Sequence, residues 1–259
     1  MTLQNEDANH LSSVKNALRI LRSFTMDEPE KKVSDLATSL GLNKSTVSRT
    51  MATLASEGFV YKDPETNKYR LGFSILTLSG IVNSNMDVYQ ESITELNKLV
   101  ESTGETSHIS IVDNLEVMYL NKVECNHPVR VLTHVGRRNP LYCTSSGKVL
   151  LAYSKDKSLL DRVIEQGLKK FTKNTITNPK QLREHLAEVR KNGYAFTVEE
   201  YTEGVNSIAA PVYDYLGNVI ASLAIVGPKQ RFQTQKVSSL AKKVISAADE
   251  ISHRMGYWK

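Results

Sequence analysis

Three short helical patterns and a hairpin signal follow one another closely between Ser12 and Leu71, and few folds accept that order. Val14, Ala17, Leu18, Leu21 and Phe24 recur at the i, i+3, i+4, i+7 spacing of one buried helix face, with Ser12 or Ser13 as the expected cap and Asp27 to Pro29 as the stop. A second short helix follows Val33. Ser34 is its expected cap, Leu36, Ala37 and Leu40 face inward, and Gly41 supplies the left-handed turn. Lys44 to Glu57 forms a third helix with Val47, Met51 and Leu54 as its inner stripe and Gly58 as its end. Phe59 to Asp63 and Lys68 to Leu71 are strand-like runs around the turn residues Pro64, Glu65, Thr66 and Asn67. The pattern predicts a winged helix-turn-helix over residues 11–72.

The outward face of the third helix carries Lys44, Ser45, Thr46, Ser48 and Arg49, clustered at its N-terminal end. Short hydroxyls bond phosphates or base edges, arginine forks onto guanine or phosphate, and a helix start favours an anion. In a helix-turn-helix the first residues of the second helix of the motif enter the major groove, which is where this cluster lies. Lys62, Lys68 and Arg70 on the hairpin are candidates for phosphate contacts beside the groove. A solvated polar face is the alternative for any single helix of this kind; the helices, turn and hairpin together favour double-stranded DNA as a partner.

A chain of 259 residues has room for a second, larger domain. Net charge is +5, but residues 1–84 hold ten Lys/Arg against nine Asp/Glu, so a DNA-binding face must arise from local placement. Met1 to His10 is polar and acidic, unlike a signal peptide, and no apolar run reaches membrane-spanning length; the expectation is a cytoplasmic protein with no membrane partner. Two cysteines, Cys125 and Cys143, are too few for a disulfide framework and read as small packing residues.

Beyond the hairpin, Phe73 to Ser84 carries Ile75, Leu76, Leu78, Ile81 and Val82, a stripe that suits either a linker helix (73–86) packing on a partner subunit or a core helix. A helix over Tyr89 to Ser102 precedes strand-like runs at Ser107 to Val112, Val117 to Lys122 and Val129 to Thr133. A further helix, Gln181 to Lys191, ends at Gly193. Strands follow at Tyr194 to Val198, Ser207 to Tyr213 and Val219 to Val226, the last two joined by a turn from Asp214 to Asn218, and an amphipathic helix over Thr234 to Met255 closes the chain. The order predicts an α+β second domain over 87–259.

Several of these segments resemble the IclR family of bacterial transcription regulators. They are Val33-Ser-Asp-Leu-Ala, Leu42-Asn-Lys-Ser-Thr-Val-Ser-Arg, Leu54-Ala-Ser-Glu-Gly-Phe-Val, Asn139-Pro-Leu-Tyr-Cys-Thr-Ser-Ser-Gly-Lys-Val-Leu-Leu-Ala, and Glu199-Glu with Gly204, Ile208-Ala-Ala-Pro-Val, Asp214, Gly217 and Gly227-Pro. The resemblance runs from about Ser13 onward. It implies a GAF-like effector domain on a curved antiparallel sheet flanked by helices, and a homodimer or homotetramer on palindromic operator DNA. It also places an effector pocket between the loop before Ser145 and the strands after Glu199, lined by Thr197, Ser207, Ala224 and Val226. The helix opening near Ser145 adds Tyr142, Ser145 and Ser146, because free amides and hydroxyls at a helix start favour a carboxylate or phosphate; the two serines are equally candidate caps. Members of the family that bind small keto acids carry an acid at the Thr197 position and hydroxyls at the Ala224 and Val226 positions. The substitutions here imply a larger carboxylate effector with an apolar or aromatic body.

Other chemistry fits less well. Tyr142 stands where a phosphate loop needs its first glycine and Val149 where it needs Ser/Thr. Ser145-Ser-Gly-Lys148 has the Ser-x-x-Lys spacing of acylating enzymes without their companion motifs. Glu199, Glu200 and Glu203 could pair as a general acid and base but are expected in a solvated turn, where the resemblance implies a structural role beside the ligand loop, and His108, Cys125, His127, His134 and Cys143 lack paired metal-ligand spacing. No cofactor, metal or catalytic residue is expected. The competing reading is an enzyme acting on a small carboxylate, in which the N-terminal module serves only to dimerise.

Overall fold

In the computed structural model, which describes residues 11–84, 86–127, 134–232 and 234–258, the chain divides into two units, Met1–Asn85 and Met86–Lys259. The first contains α1 (Ser12–Arg22), α2 (Val33–Leu40), α3 (Lys44–Ser56), an antiparallel hairpin of β1 (Val60–Lys62) and β2 (Tyr69–Leu71), and α4 (Ser74–Ser84). Its core is Ile20, Leu36, Val47, Met51, Val60 and Tyr69. Gly41 ends α2 in the left-handed conformation (φ 65°) that a side chain would disfavour, which sets the tight turn into α3. Lys31 and Tyr69 exchange backbone hydrogen bonds, so the hairpin is tied to the segment before α2.

The helix starts differ from expectation. Leu11 occupies the cap position of α1 and Lys32 that of α2, neither with a side-chain cap bond; the Ser34 hydroxyl donates instead to Asp35. Val14 and Leu18, expected inward, are 52% and 49% exposed, because Ile20 takes the central place against α2 and α3 and turns the other side of α1 to solvent.

The second unit is a six-stranded, fully antiparallel sheet in the order β5 (Arg138–Pro140), β4 (Glu116–Val123), β3 (Thr106–Asp113), β8 (Val219–Pro228), β7 (Val205–Tyr213) and β6 (Ala195–Val198). Register shifts at Ile109/Ser110 and Val212/Tyr213 add local twist, which helps curve the sheet. Strand alternation divides the apolar residues between two cores. Ile109, Ile208, Ala210, Val212, Leu223 and Ile225 pack toward α5 (Asp87–Thr103) and α9 (Thr234–Arg254). Ala195, Ala209 and Ala224 share the other core with α6 (Ser145–Tyr153), α7 (Leu159–Gln166) and α8 (Pro179–Asn192). Asp214 makes the β7–β8 turn by accepting the Leu216 and Asn218 amides at 2.9 and 2.8 Å. The expected strand at Val129–Thr133 lies outside the described residues, while β5 and α7 are elements that the sequence pattern does not predict. No helix among the described residues is long and apolar enough to cross a membrane.

Candidate functional site

On the first unit, Lys44, Ser45, Ser48 and Arg49 are exposed and Thr46 is half-buried, since Val47 and Met51 take the inner face of α3. Lys44 and Ser48 line a surface cleft with Lys62 of the hairpin and with Lys32, a cation that helix periodicity alone does not single out. Lys62 lies over the Tyr69 ring at 5.8 Å and Arg70 over the Tyr61 ring at 4.8 Å, while the Lys68 ammonium sits 3.7 Å from Glu30. Lys44 and Lys62 thus meet in one basic cleft with Lys32, whereas Lys68 and Arg70 border a second cleft beside Asp27, Glu28, Glu30 and Asp35.

In the second unit α6 packs against the sheet, and its first residues line a pocket with Thr197, Ser207 and Val226. Thr144, not Ser145 or Ser146, caps the helix: its hydroxyl accepts the Gly147 amide at 3.1 Å and donates to the Pro140 carbonyl at 3.0 Å. A Cβ at Gly147 would stand 2.1 Å from the Leu141 carbonyl oxygen, so only glycine lets the helix fold back onto its own approach. The amides of Ser145 and Ser146 belong to the first turn, where no intrahelical acceptor exists.

These two serines line a cavity of about 540 Å³ together with Thr197, Ser207 and Val226 of the predicted set. Tyr142 and Ala224 are not among its lining residues. The Tyr142 hydroxyl donates to the Lys169 carbonyl at 2.7 Å, and Ala224 is fully buried in the core. Sheet register explains the convergence: Thr197 pairs with Ser207 and Ser207 with Val226, putting all three on one face, and the two hydroxyls bond each other at 2.7 Å. One hydroxyl hydrogen is used in that bond, leaving one donor and several lone pairs toward the cavity.

The same register pairs Ala224 with His108 and brings into the cavity a residue whose sequence context suggests only a possible metal ligand. Burial, with Lys122 nearby, holds the His108 imidazole pKa down at about 4, so it is neutral near pH 7. Its Nε2 lies 3.4 Å from the Ser146 hydroxyl and its ring sits against Tyr119. Tyr119 accepts a 2.9 Å hydrogen bond from Asn139, and both line the cavity with Arg137, whose Nε is 3.3 Å from Asn139 Oδ1. Burial and then the Glu200 charge push the Cys143 thiol up to about 12, so it lines the wall as a neutral group.

Glu200 is the clearest correction. Expected in a solvated turn, it is buried in the cavity wall and ion-paired to the fully buried Lys148 at 2.5 Å. Glu199 beside it adopts a left-handed backbone (φ 51°), unusual for a residue with a side chain. That turn is held from several sides. The Glu199 carboxylate accepts the Gly204 amide and the Lys229 ammonium, Thr172 donates to the Glu199 carbonyl at 2.6 Å, and Thr175 donates to that of Glu200 at 2.7 Å. Sequence spacing gives no hint of a partner 52 residues away; an acid following a lysine-bearing apolar helix is the only signal available. Among the described residues no group of three or more His, Cys, Asp or Glu comes together as a metal site.

The geometry has counterparts among known proteins. Residues 81–253 match the family model described as bacterial transcriptional regulator IclR C-terminal, and residues 13–64 match that of the IclR helix-turn-helix domain. The chain is 34% identical over 248 residues to the HTH-type transcriptional regulator KdgR of Escherichia coli (strain K12), covering 95% of this chain and 94% of that protein. The crystal structure of an IclR transcriptional regulator from Alicyclobacillus acidocaldarius is 30% identical, with a TM-score of 0.85 over 95% of this chain and 100% of that one. An IclR homolog from Microbacterium hydrocarbonoxydans, solved in complex with 4-hydroxybenzoate, shares the fold at 24% identity (TM-score 0.85, 94% and 98% coverage).

Proposed function

The chain belongs to the IclR family of bacterial transcription regulators, and on that premise we propose that α3 and the wing hold operator DNA while the cavity of the second unit binds a carboxylate effector that changes DNA affinity. The relatives are named regulators rather than enzymes, and the regulator reading stands over the enzyme one. For the DNA side, Lys44, Ser45, Thr46, Ser48 and Arg49 are the base- and phosphate-contacting set at the start of α3, and Lys62, Lys68 and Arg70 are phosphate contacts on the wing.

One observation carries the effector assignment: the first turn of α6 lines a partly open cavity that Arg137 lines too. Two unbonded amides and the positive end of a helix favour a carboxylate, and a guanidinium in the same wall adds charge complementarity. Tyr119, Tyr201, Val205, Val226 and Pro228 supply the less polar body of the pocket. Binding 4-hydroxybenzoate, as the Microbacterium homolog does, is compatible with that lining.

The apolar surface of the first unit supports operator reading by paired subunits. Phe73, Leu76, Ile81 and Val82 around α4 are each more than half exposed, as are Leu11 and Val14 on α1, and a second copy would bury them. An effector preferring one arrangement of two subunits by about 1.4 kcal/mol would change DNA affinity tenfold. The direct test is fluorescence anisotropy on DNA upstream of the protein's own gene, in a salt series, against random competitor and with a carboxylate panel. Competitor-resistant binding that shifts with one of the carboxylates supports the proposal; turnover of a carboxylate without specific DNA binding would replace it with the enzyme reading.

A further inference from the structure

The two clefts of the first unit part between Lys31 and Lys32. The Lys31 amide donates to the Tyr69 carbonyl at 2.9 Å and its carbonyl accepts the Tyr69 amide at 2.8 Å, an antiparallel bridge that lays the segment before α2 along the wing. Lys32 continues that segment in extended backbone (φ −90°, ψ 156°). Successive side chains of extended backbone point to opposite sides. Lys31 accordingly turns to the cleft bordered by Asp27, Glu28, Glu30 and Asp35, and pairs with Glu28. Lys32 turns the other way, into the cleft of Lys44 and Lys62. The bridge to the wing thus sends two adjacent lysines into opposite surroundings.

Three separate elements supply the cations of the second cleft: Lys32 precedes α2, Lys44 opens α3 and Lys62 ends β1. All three are exposed, no acidic side chain lines their cleft, and among the described residues none of the three has an ion-pair partner. Gathering three ammonium groups without a counter-charge works against the folded chain, since like charges repel. Ser48 and Asn67 add uncharged hydrogen-bonding groups to the same lining. Cations beside neutral donors, with no acid among them, suit a phosphodiester. We propose that Lys32 is a DNA phosphate contact, and that the cleft takes the sugar-phosphate backbone between the start of α3 and the wing. This rests on the reading of α3 and the wing as the DNA face and extends that face to a residue outside both. Lys31, held by Glu28 on the far side of the bridge, takes no part.

Fluorescence anisotropy of the full-length protein on a random-sequence duplex, over a salt series, tests this, because phosphate contacts do not depend on base sequence. Lys32→Gln should reduce the slope of log affinity against log salt by about one, as the loss of one phosphate contact does. Lys32→Arg should keep the slope, and Lys31→Gln should leave it close to that of the wild type. Thermal unfolding separates a contact from a scaffold: Lys32→Gln should melt at or above the wild-type temperature, because it removes repulsion rather than packing. An unchanged slope in Lys32→Gln, or equal losses in Lys31→Gln and Lys32→Gln, overturns the proposal. A slope loss accompanied by a lower melting temperature overturns it too, by making Lys32 part of the fold. If Lys44→Met and Lys62→Ala lower the slope while Lys32→Gln does not, the DNA face stands and only the role of Lys32 falls. Failure of every variant to alter the slope, or of the wild type to bind DNA at all, removes both.

Discussion

The two units keep their working polar groups in opposite surroundings. On the first, Lys44, Ser45, Ser48 and Arg49 stand exposed on a helix whose inner face alone is fixed by the core; in the second, His108, Lys148 and Glu200 are buried, and the last two depend on each other. Exposed cations carry little of the fold's stability and are free to meet phosphate. Buried ones are inseparable from it, because each charge taken from water needs its partner. The same chemical change should therefore cost binding in one unit and folding in the other.

The sharpest way to break that contrast is to make one substitution in both places. Lys148→Met leaves Glu200 buried without its cation and should lower stability by about 3–5 kcal/mol in urea unfolding of the effector unit. Lys44→Met should leave stability unchanged and weaken DNA binding. Burial is the largest influence on both members of the pair, pushing the lysine down and the glutamate up, so the attraction does not fully offset the loss of water. Lys148→Met/Glu200→Leu should accordingly recover most of the stability. A double variant as unstable as Lys148→Met would show that the pair's worth lies in shape rather than charge.

Acid should act on the buried site next. The folded His108 pKa of about 4 lies below the ordinary 6.5, so between those values the unfolded chain binds the extra proton, and stability falls as pH drops through that window. The full effect approaches roughly 3 kcal/mol at a shift of this size. Glu200, pushed upward, acts in the opposite sense, so the clean measurement is the difference between wild type and His108→Gln, whose stability should decline less steeply from pH 6.5 to 4. Parallel curves would mean that His108 does not titrate differently in the folded chain. On the exposed side, Arg49→Ala should cost specific operator affinity roughly ten- to hundredfold, the worth of a good base contact. Its melting temperature should not move; a matching drop in stability would place Arg49 in the fold and out of the groove.

This contrast also explains what the sequence could and could not reveal. The helices and hairpin of the first unit follow from local spacing, since Val47 and Met51 mark the inner face of α3 and thereby leave the hydroxyls and cations outside. Val14 and Leu18 mislead because periodicity marks an apolar face without saying what covers it. In the second unit the alternation along β7 and β8 is legible, and so is the helix opening at Ser145. The cavity is half-legible. Thr197, Ser207 and Val226 come from resemblance and fall in one row, but His108 reaches them only through the β3–β8 register, and Glu200 through a turn with a left-handed Glu199 and a partner on α6. Pairings across such sequence distances leave no local pattern. Cap identity fails for a related reason: serines at three helix starts are equally good candidates, and the approach of the chain, as at Thr144, chooses among neighbours.

The smallest expected effects lie on the wing, where the contrast between exposed and committed cations can be drawn within one hairpin. Removing one phosphate-binding cation should reduce the slope of log affinity against log salt by about one, uniformly across DNA sequences. Lys62 and Arg70 rest on the flat faces of Tyr69 and Tyr61, which orient them without neutralising them; Lys68 shares its ammonium with Glu30. Lys62→Ala and Arg70→Ala should therefore each lower the slope by nearly the full amount, and Lys68→Ala by less. An exposed pair at 3.7 Å holds its lysine only weakly, so Glu30→Gln should release Lys68 and raise the slope slightly. Equal slopes for all three alanine variants would mean that DNA displaces Glu30 at no measurable cost, and the wing would then act as one undivided basic surface.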